Sequence, residues 1–220
     1  MPFWDGPNPF GKKKPPVTLK LNKRRHKYDS VQAHLKNMLK GELLRVGDDA
    51  NMREAVQLKE GVVLEEWLSM NVIEAHNTLL LIYGFICEDC TKETCPIMNA
   101  GNKYHYLWPN EKEGKAESLS APVYIEKLFG WVASQIDDES VFATNGVYSK
   151  AFIPTVKKIV SRMFRVYAHI YYEHLDAIRS NNARQHLDKC FRLFYYFVDT
   201  FKLISEKELV PLQPLIDQLS

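Results

Sequence analysis

The sequence predicts an all-α fold: a helical bundle interrupted by one loop-rich insertion with a small β-hairpin. Three observations point there. Apolar residues recur at helical spacing in several long segments. Residues 87–121 break that period and gather Gly101, Pro109 and Gly114. An apolar fraction of 45% over 220 residues suits one globular domain with a sizeable core, plus a flexible arm.

The arm comes first. Residues 1–28 hold five Pro, eight Lys and Arg and one Asp, a net charge of +7, and are expected to be a disordered basic tail. Residues 29–220, with 21 basic and 26 acidic residues, form the expected domain and carry −5. The basic run KLNKRRHK reads as a solvated tail or as a nuclear-import or phosphate-attracting arm. Nothing in this balance calls for nucleic acid. No stretch reaches the roughly 18 apolar residues of a membrane span. The first residues lack an apolar run ahead of a cleavage site, so no secretory leader is expected and the chain reads as cytosolic or nuclear.

The elements follow in order. Asp29-Ser30 can cap a helix over residues 30–40, ended by Gly41. From Val62 to Ile86, Leu64, Trp67, Leu68, Val72, Ala75, Leu79, Ile82 and Tyr83 keep close to i, i+3, i+4 spacing and predict a long amphipathic helix. Glu65 and Glu66 favour its start through the helix dipole. The alternation in KYHYLW, residues 103–108, predicts one short hairpin. Ser120-Ala121-Pro122 opens a helix running to Asp138. Residues 152–179 and 183–203 form two more, and a short one covers 205–219.

Two clusters carry metal-ligand chemistry. Cys87-x2-Cys90-x4-Cys95 lies in the loop after the long helix, and His169-x4-His174 lies in the helix over 152–179. Thiolate and imidazole are the ligands zinc prefers, and four of them in a tetrahedron make a closed structural site. In a reducing compartment a close-spaced cysteine trio favours metal over disulfide. The predicted architecture is thus a helical bundle with a zinc-clamped loop and a small β-hairpin. The histidine spacing is awkward. Residues i and i+5 lie about 140° apart around an ideal helix, so the pair needs a local bulge or long rotamers reaching from either side. The alternative reading is two interface histidines and buried free thiols. Glu173 beside His174 also evokes a zinc hydrolase. The inverted motif of such enzymes, however, has two residues between the first His and the Glu where this chain has three, and a catalytic ion needs a vacant position.

These segments resemble the Mob family of protein-kinase activators. Cys90-Thr-Lys-Glu-Thr-Cys95-Pro-Ile-Met, Ala100-Gly101 and Tyr104-x-Tyr106-x-Trp108 are similar to its cysteine loop. Phe164-Arg165-Val166-Tyr167-Ala168-His169-Ile170-Tyr171 followed by His174 resembles its histidine helix. Leu58-x-Glu-Gly61 leading into Glu66-Trp67, and Glu208-Leu-x-Pro-Leu, complete the resemblance over residues 30–219. It implies a non-catalytic subunit, not an enzyme. Such a subunit binds the basic N-terminal regulatory segment of an NDR/LATS-type Ser/Thr kinase and holds that kinase in an active-competent form. It also implies one structural zinc on Cys90, Cys95, His169 and His174, with Cys87 as a spare thiol. The resemblance is closer to the branches that activate mitotic-exit and Hippo-type kinases.

Two faces follow. Glu65, Glu66, Trp67, Met70 and Glu74 open the long helix, and Glu66, Met70 and Glu74 share a stripe at i, i+4, i+8. Carboxylates flanking an apolar residue suit a basic amphipathic partner helix, although a solvated helix face looks the same in sequence. The resemblance puts kinase contacts at Glu66, Trp67, Met70 and Glu74, while Val62 stands where relatives often carry an acid. Lys158, Arg162, Arg165 and His169 form a basic stripe, able to grip phosphate or simply to be solvated. By resemblance Arg162 and Arg165 match a phosphothreonine pocket that would bind an upstream phosphorylated Ste20/Hippo-type kinase. Ser161 replaces that pocket's lysine, and Lys158 can partly compensate.

Overall fold

The computed structural model describes residues 49–110 and 114–219. The basic tail and the helix expected over 30–40 lie outside the described residues. Those residues are mostly helical, as the periodicity predicts. Helix α1 (Asp49–Val56) was not foreseen. Helix α2 (Leu64–Tyr83) is the long amphipathic helix, two residues shorter at its start and three at its end than its apolar period. Helix α3 (Ala121–Asp137) starts at Ser120 with Pro122 in its first turn, where a missing N–H costs nothing.

The segment expected as one helix over 152–179 is two. Helix α4 (Phe152–Glu173) ends at His174, which sits at φ −128°, ψ 16°, outside the helical region. Helix α5 (Leu175–Ser180) begins on its far side. Helix α6 (Arg184–Thr200) follows. Short α7 (Glu206–Leu209), a 3₁₀ turn (Val210–Leu212) and α8 (Gln213–Ile216) close the chain.

The insertion also differs from the single expected hairpin. Strand β1 (Asn99–Ala100) pairs antiparallel with β2 (Tyr104–His105), and β3 (Leu107–Asn110) pairs with β4 (Lys115–Ser118). The alternation in 103–108 is real, but it runs across two sheets joined at Tyr106. Tyr104, Tyr106 and Trp108 turn one way and pack on the core.

The core lies where α2 and α4 pack on each other, with α6 and α1 behind α2 and α3 against both. The Trp67 indole N–H donates to the Val56 carbonyl at 2.9 Å and fixes the α1–α2 connection. The Arg53 guanidinium lies 4.2 Å over the Tyr196 ring and donates to the Leu219 carbonyl, tying α1 to α6 and to the C-terminal end. Strand β1 rests on α4, which brings the cysteine loop over the histidine helix. Among the described residues, no helix is long and apolar enough to cross a membrane.

Candidate metal centre

Cys90 and Cys95 sit in the turns after α2. The Cys90 N–H donates to the Ile86 carbonyl at 2.8 Å and the Cys95 N–H to the Thr91 carbonyl at 2.9 Å. Thr91 and Thr94 shape the turn between them. The Thr91 N–H donates to Thr94 Oγ1 at 2.9 Å, and the Thr94 hydroxyl donates to the Asp89 carbonyl at 2.6 Å. Small hydroxyl residues that bond their own backbone close such turns without a hydrophobic core. The Cys95 carbonyl then accepts from the Ala121 N–H, which anchors the loop to the start of α3.

The other two candidate ligands come from the end of α4. His169 is in the last regular turn, and His174 is the residue at which the helix stops. That stop answers the i, i+5 problem. His174 leaves helical geometry, so its ring is free of the 140° offset that an unbroken helix imposes. The two Nε2 atoms stand 3.2 Å apart. Cys90 Sγ is 3.5 Å from His169 Nε2, and Cys95 Sγ is 3.4 Å from His174 Nε2. All four ligand atoms lie within 4.8 Å of one another, and all four residues are buried. They could hold a metal ion.

The surroundings favour a cation. Burial, with the neighbouring Cys95, pushes the Cys90 thiol up to about 12. Burial also lowers both imidazoles, and with His169 beside it His174 falls to about 4. The rings are therefore neutral near pH 7 with lone pairs to give, while the Cys90 thiol becomes a thiolate only when a cation offsets its charge. His169 Nδ1 lies 2.9 Å from the Asn99 carbonyl; donating there, it leaves Nε2 as the lone-pair nitrogen.

That contact depends on Gly101. Gly101 turns β1 into β2 at φ +61°, its N–H donates to Glu173 Oε1 at 3.0 Å, and a Cβ there would stand 2.8 Å from the Tyr172 ring. Glu173, the residue a hydrolase would use as base, thus serves as a backbone anchor. Cys87 is not in the cluster. It is half-buried, with its thiol 3.5 Å from the Gly84 carbonyl.

The acidic stripe needs correction. Met70 and Glu74 are exposed, Glu65 and Trp67 are half-buried, and Glu66 is only 3% exposed. Glu66 therefore does not lie on a solvated face. Its carboxylate sits by Gly146, in the loop between α3 and α4, and Ser69 of the same helix contacts the Tyr148 hydroxyl at 3.5 Å. Leu64 and Val147 join Met70 among the exposed large apolar residues. Val62 is half-buried ahead of the helix.

The basic stripe runs from solvent into the core. Lys158 is exposed, Arg162 and Arg165 are half-buried, and His169 is a metal-cluster residue rather than part of the face. Lys157, Lys158, Ser161, Arg162 and Arg165 line one wall of an open cavity of about 650 Å³. The Arg162 guanidinium lies 4.3 Å from the Trp131 ring and 4.9 Å from Trp108, and Arg165 donates to the Tyr124 hydroxyl at 3.1 Å. Aromatic contacts therefore pre-set both guanidinium groups. Sequence reasoning missed Lys202, and named Glu208 only within a family motif without placing it here; both line the same cavity from the far end of the chain.

Residues 44–212 match the Mob1/phocein family. The chain belongs to that family. It is 43% identical over 182 residues to MOB kinase activator-like 1 homolog C of Dictyostelium discoideum, covering 81% of this chain and 83% of that protein. MOB kinase activator 3A of Homo sapiens is 43% identical over 168 residues, 75% of this chain and 77% of its own. MOB kinase activator-like 3 of Drosophila melanogaster is 42% identical over 172 residues, 77% and 78%. The Mob resemblance of the cysteine loop and histidine helix is thereby established. In this Mob chain those two segments are the ones that converge on the buried cluster.

Proposed function

We propose that this Mob protein is a non-catalytic regulatory subunit that binds and activates a Ser/Thr kinase of the NDR/LATS type. The observation that carries the reading is its 42–43% identity, over most of its length, to proteins named MOB kinase activators. The site chemistry agrees. Four protein ligands leave a tetrahedral ion no open position for water or substrate, so the cluster suits a clamp better than a hydrolase.

The ion proposed is zinc. Bonds of about 2.3 Å to sulfur and 2.0–2.1 Å to nitrogen at tetrahedral angles put sulfur and nitrogen about 3.5 Å apart and two nitrogens about 3.3 Å apart. The corresponding edges here are 3.5, 3.4 and 3.2 Å. Cys90, Cys95, His169 and His174 would hold the ion.

The kinase's basic segment would dock on Glu65, Met70 and Glu74, with Leu64 and Val147 as apolar contacts. Trp67 and Glu66 would support that face from within. The test is binding of a basic amphipathic kinase segment, followed by fluorescence anisotropy. Glu65→Lys with Glu74→Lys is expected to weaken binding at least tenfold, to keep the melting temperature, and to leave the residual binding less sensitive to salt than the parent's. Glu66→Lys buries an unmatched cation and is expected to lower stability by about 2–4 kcal/mol, so it cannot serve as a surface probe. Unchanged affinity in the Glu65/Glu74 double variant would place the docking face elsewhere.

The cation-lined cavity supports a second role in the same protein, as a weak receptor for phosphothreonine peptides of an upstream Ste20/Hippo-type kinase. Lys158, Arg162 and Arg165 would contact the phosphate.

A further inference from the structure

The cation-lined cavity has a second wall, of mixed charge, that carries two carboxylates. Lys202, Ser205, Glu206 and Glu208 close it from the C-terminal segment, over a floor that includes Leu203 and Ile204. Glu208 is held there by both of its carboxylate oxygens. Ser161 donates its hydroxyl to Oε1, and Ser205 donates to Oε2 at 2.9 Å. Partial burial pushes this carboxyl up, but the two serine hydrogen bonds and the nearby Arg165 outweigh it and keep the pKa below the ordinary glutamate value. A negative charge is thus resident in the cavity near neutral pH. The Ser161 hydroxyl, which could have met an incoming phosphate, is spent on that charge.

We propose that Glu208 is a built-in competitor for phosphate in this cavity, held in place by Ser161 and Ser205, and that it sets how strongly the cavity takes a phosphorylated residue. This deepens the phosphopeptide reading and rests on it. An entering phosphate competes with the Glu208 carboxylate for the field of the nearby Arg165 and meets a like charge that cannot swing away without breaking two hydrogen bonds. Arg162 stays fixed by Trp108 and Trp131 whether or not the phosphate arrives, so it offers attraction without relieving the competition. A lysine at position 161 would do two things at once: add a cation and pair with Glu208. The serine does neither and instead fastens the acid.

The test is calorimetric titration of the full chain with one phosphothreonine peptide flanked by uncharged residues, with its unphosphorylated form as control. Glu208→Gln preserves shape and can still hydrogen-bond both serines. Removing one like charge at this partly screened site is expected to tighten binding about tenfold. Ser161→Lys is expected to tighten it by a similar factor. In the Ser161→Lys background, Glu208→Gln is expected to gain less than it does in the parent, because the lysine has already offset the acid. Glu208→Ala provides a second variant should the glutamine form melt early. Equal or weaker binding by folded Glu208→Gln and Glu208→Ala overturns the proposal while leaving the phosphopeptide reading in place. Phosphopeptide binding that survives Arg165→Ala removes the phosphate from this cavity, and absence of binding in both the parent and Glu208→Gln overturns the phosphopeptide reading itself. In either case the competitor role falls with it.

Discussion

At the scale of single residues, the Cys–His cluster leans on positions outside its own four residues. Gly101 is the clearest. Its left-handed backbone lets β1 turn back, its lack of a Cβ lets the turn sit against Tyr172, and β1 so placed meets His169 with the Asn99 carbonyl. Gly101→Ala is expected to cost about 1–3 kcal/mol from the backbone alone, with more from the contact at the Tyr172 ring. Chemical denaturation of parent and variant checks it, and an unchanged midpoint and slope would mean that the turn can relax freely. His174 shows a second dependence. Its ring reaches Cys95 because the helix ends at that residue, so the i, i+5 spacing that looked unfavourable in sequence is what a helix break requires. Nothing in Tyr171-Tyr172-Glu173-His174-Leu175 announces the break, since neither Gly nor Pro is present and the apolar period continues past it.

At the scale of elements, the long helices were legible and the short ones were not. Helices α2, α3, α4 and α6 run for 17–22 residues, long enough for a repeating apolar face to stand out. Helix α1 has eight residues and buries only Met52 and Val56 among its large apolar side chains, one turn of signal. The two small sheets read as one hairpin because alternation does not stop at Tyr106, where pairing changes partner. Burial of Glu66 depends on the loop near Gly146, and the Ser161–Glu208 contact joins residues 47 positions apart; neither is a local property of the chain. The ligand residues, by contrast, were legible as two clusters of the right chemistry, and the family resemblance separated Cys90 and Cys95 from Cys87. The expectation that follows concerns the loop as a unit. Cys90→Ser removes a ligand and is expected to lose the metal, whereas Cys87→Ser is expected to keep it. In the Cys90→Ser protein, amide exchange should speed up over residues 86–110 while α6, packed on α1 and α2, stays protected. Metal retained by Cys90→Ser and lost by Cys87→Ser would reverse the ligand assignment.

At the scale of the whole molecule, one helix joins two surfaces to one clamp. Helix α4 packs against α2, which carries the acidic face. Its basic side lines the open cavity, and its C-terminal end, with the residue that follows it, supplies the two histidines. The cysteine loop connects the end of α2 to that end of α4, so an ion bound at the cluster would fasten the two helices at their shared end. Structural zinc sites contribute directly to folding free energy, and that is the role assigned here. The most direct measurement is zinc-edge X-ray absorption on protein purified without chelator, with elemental analysis of the same sample. One zinc per chain is expected, bound by two sulfur atoms at about 2.3 Å and two nitrogen atoms at about 2.0 Å, with no oxygen ligand. A water or hydroxide oxygen in the coordination shell, or protein that folds and binds its kinase segment with no stoichiometric metal, would contradict it.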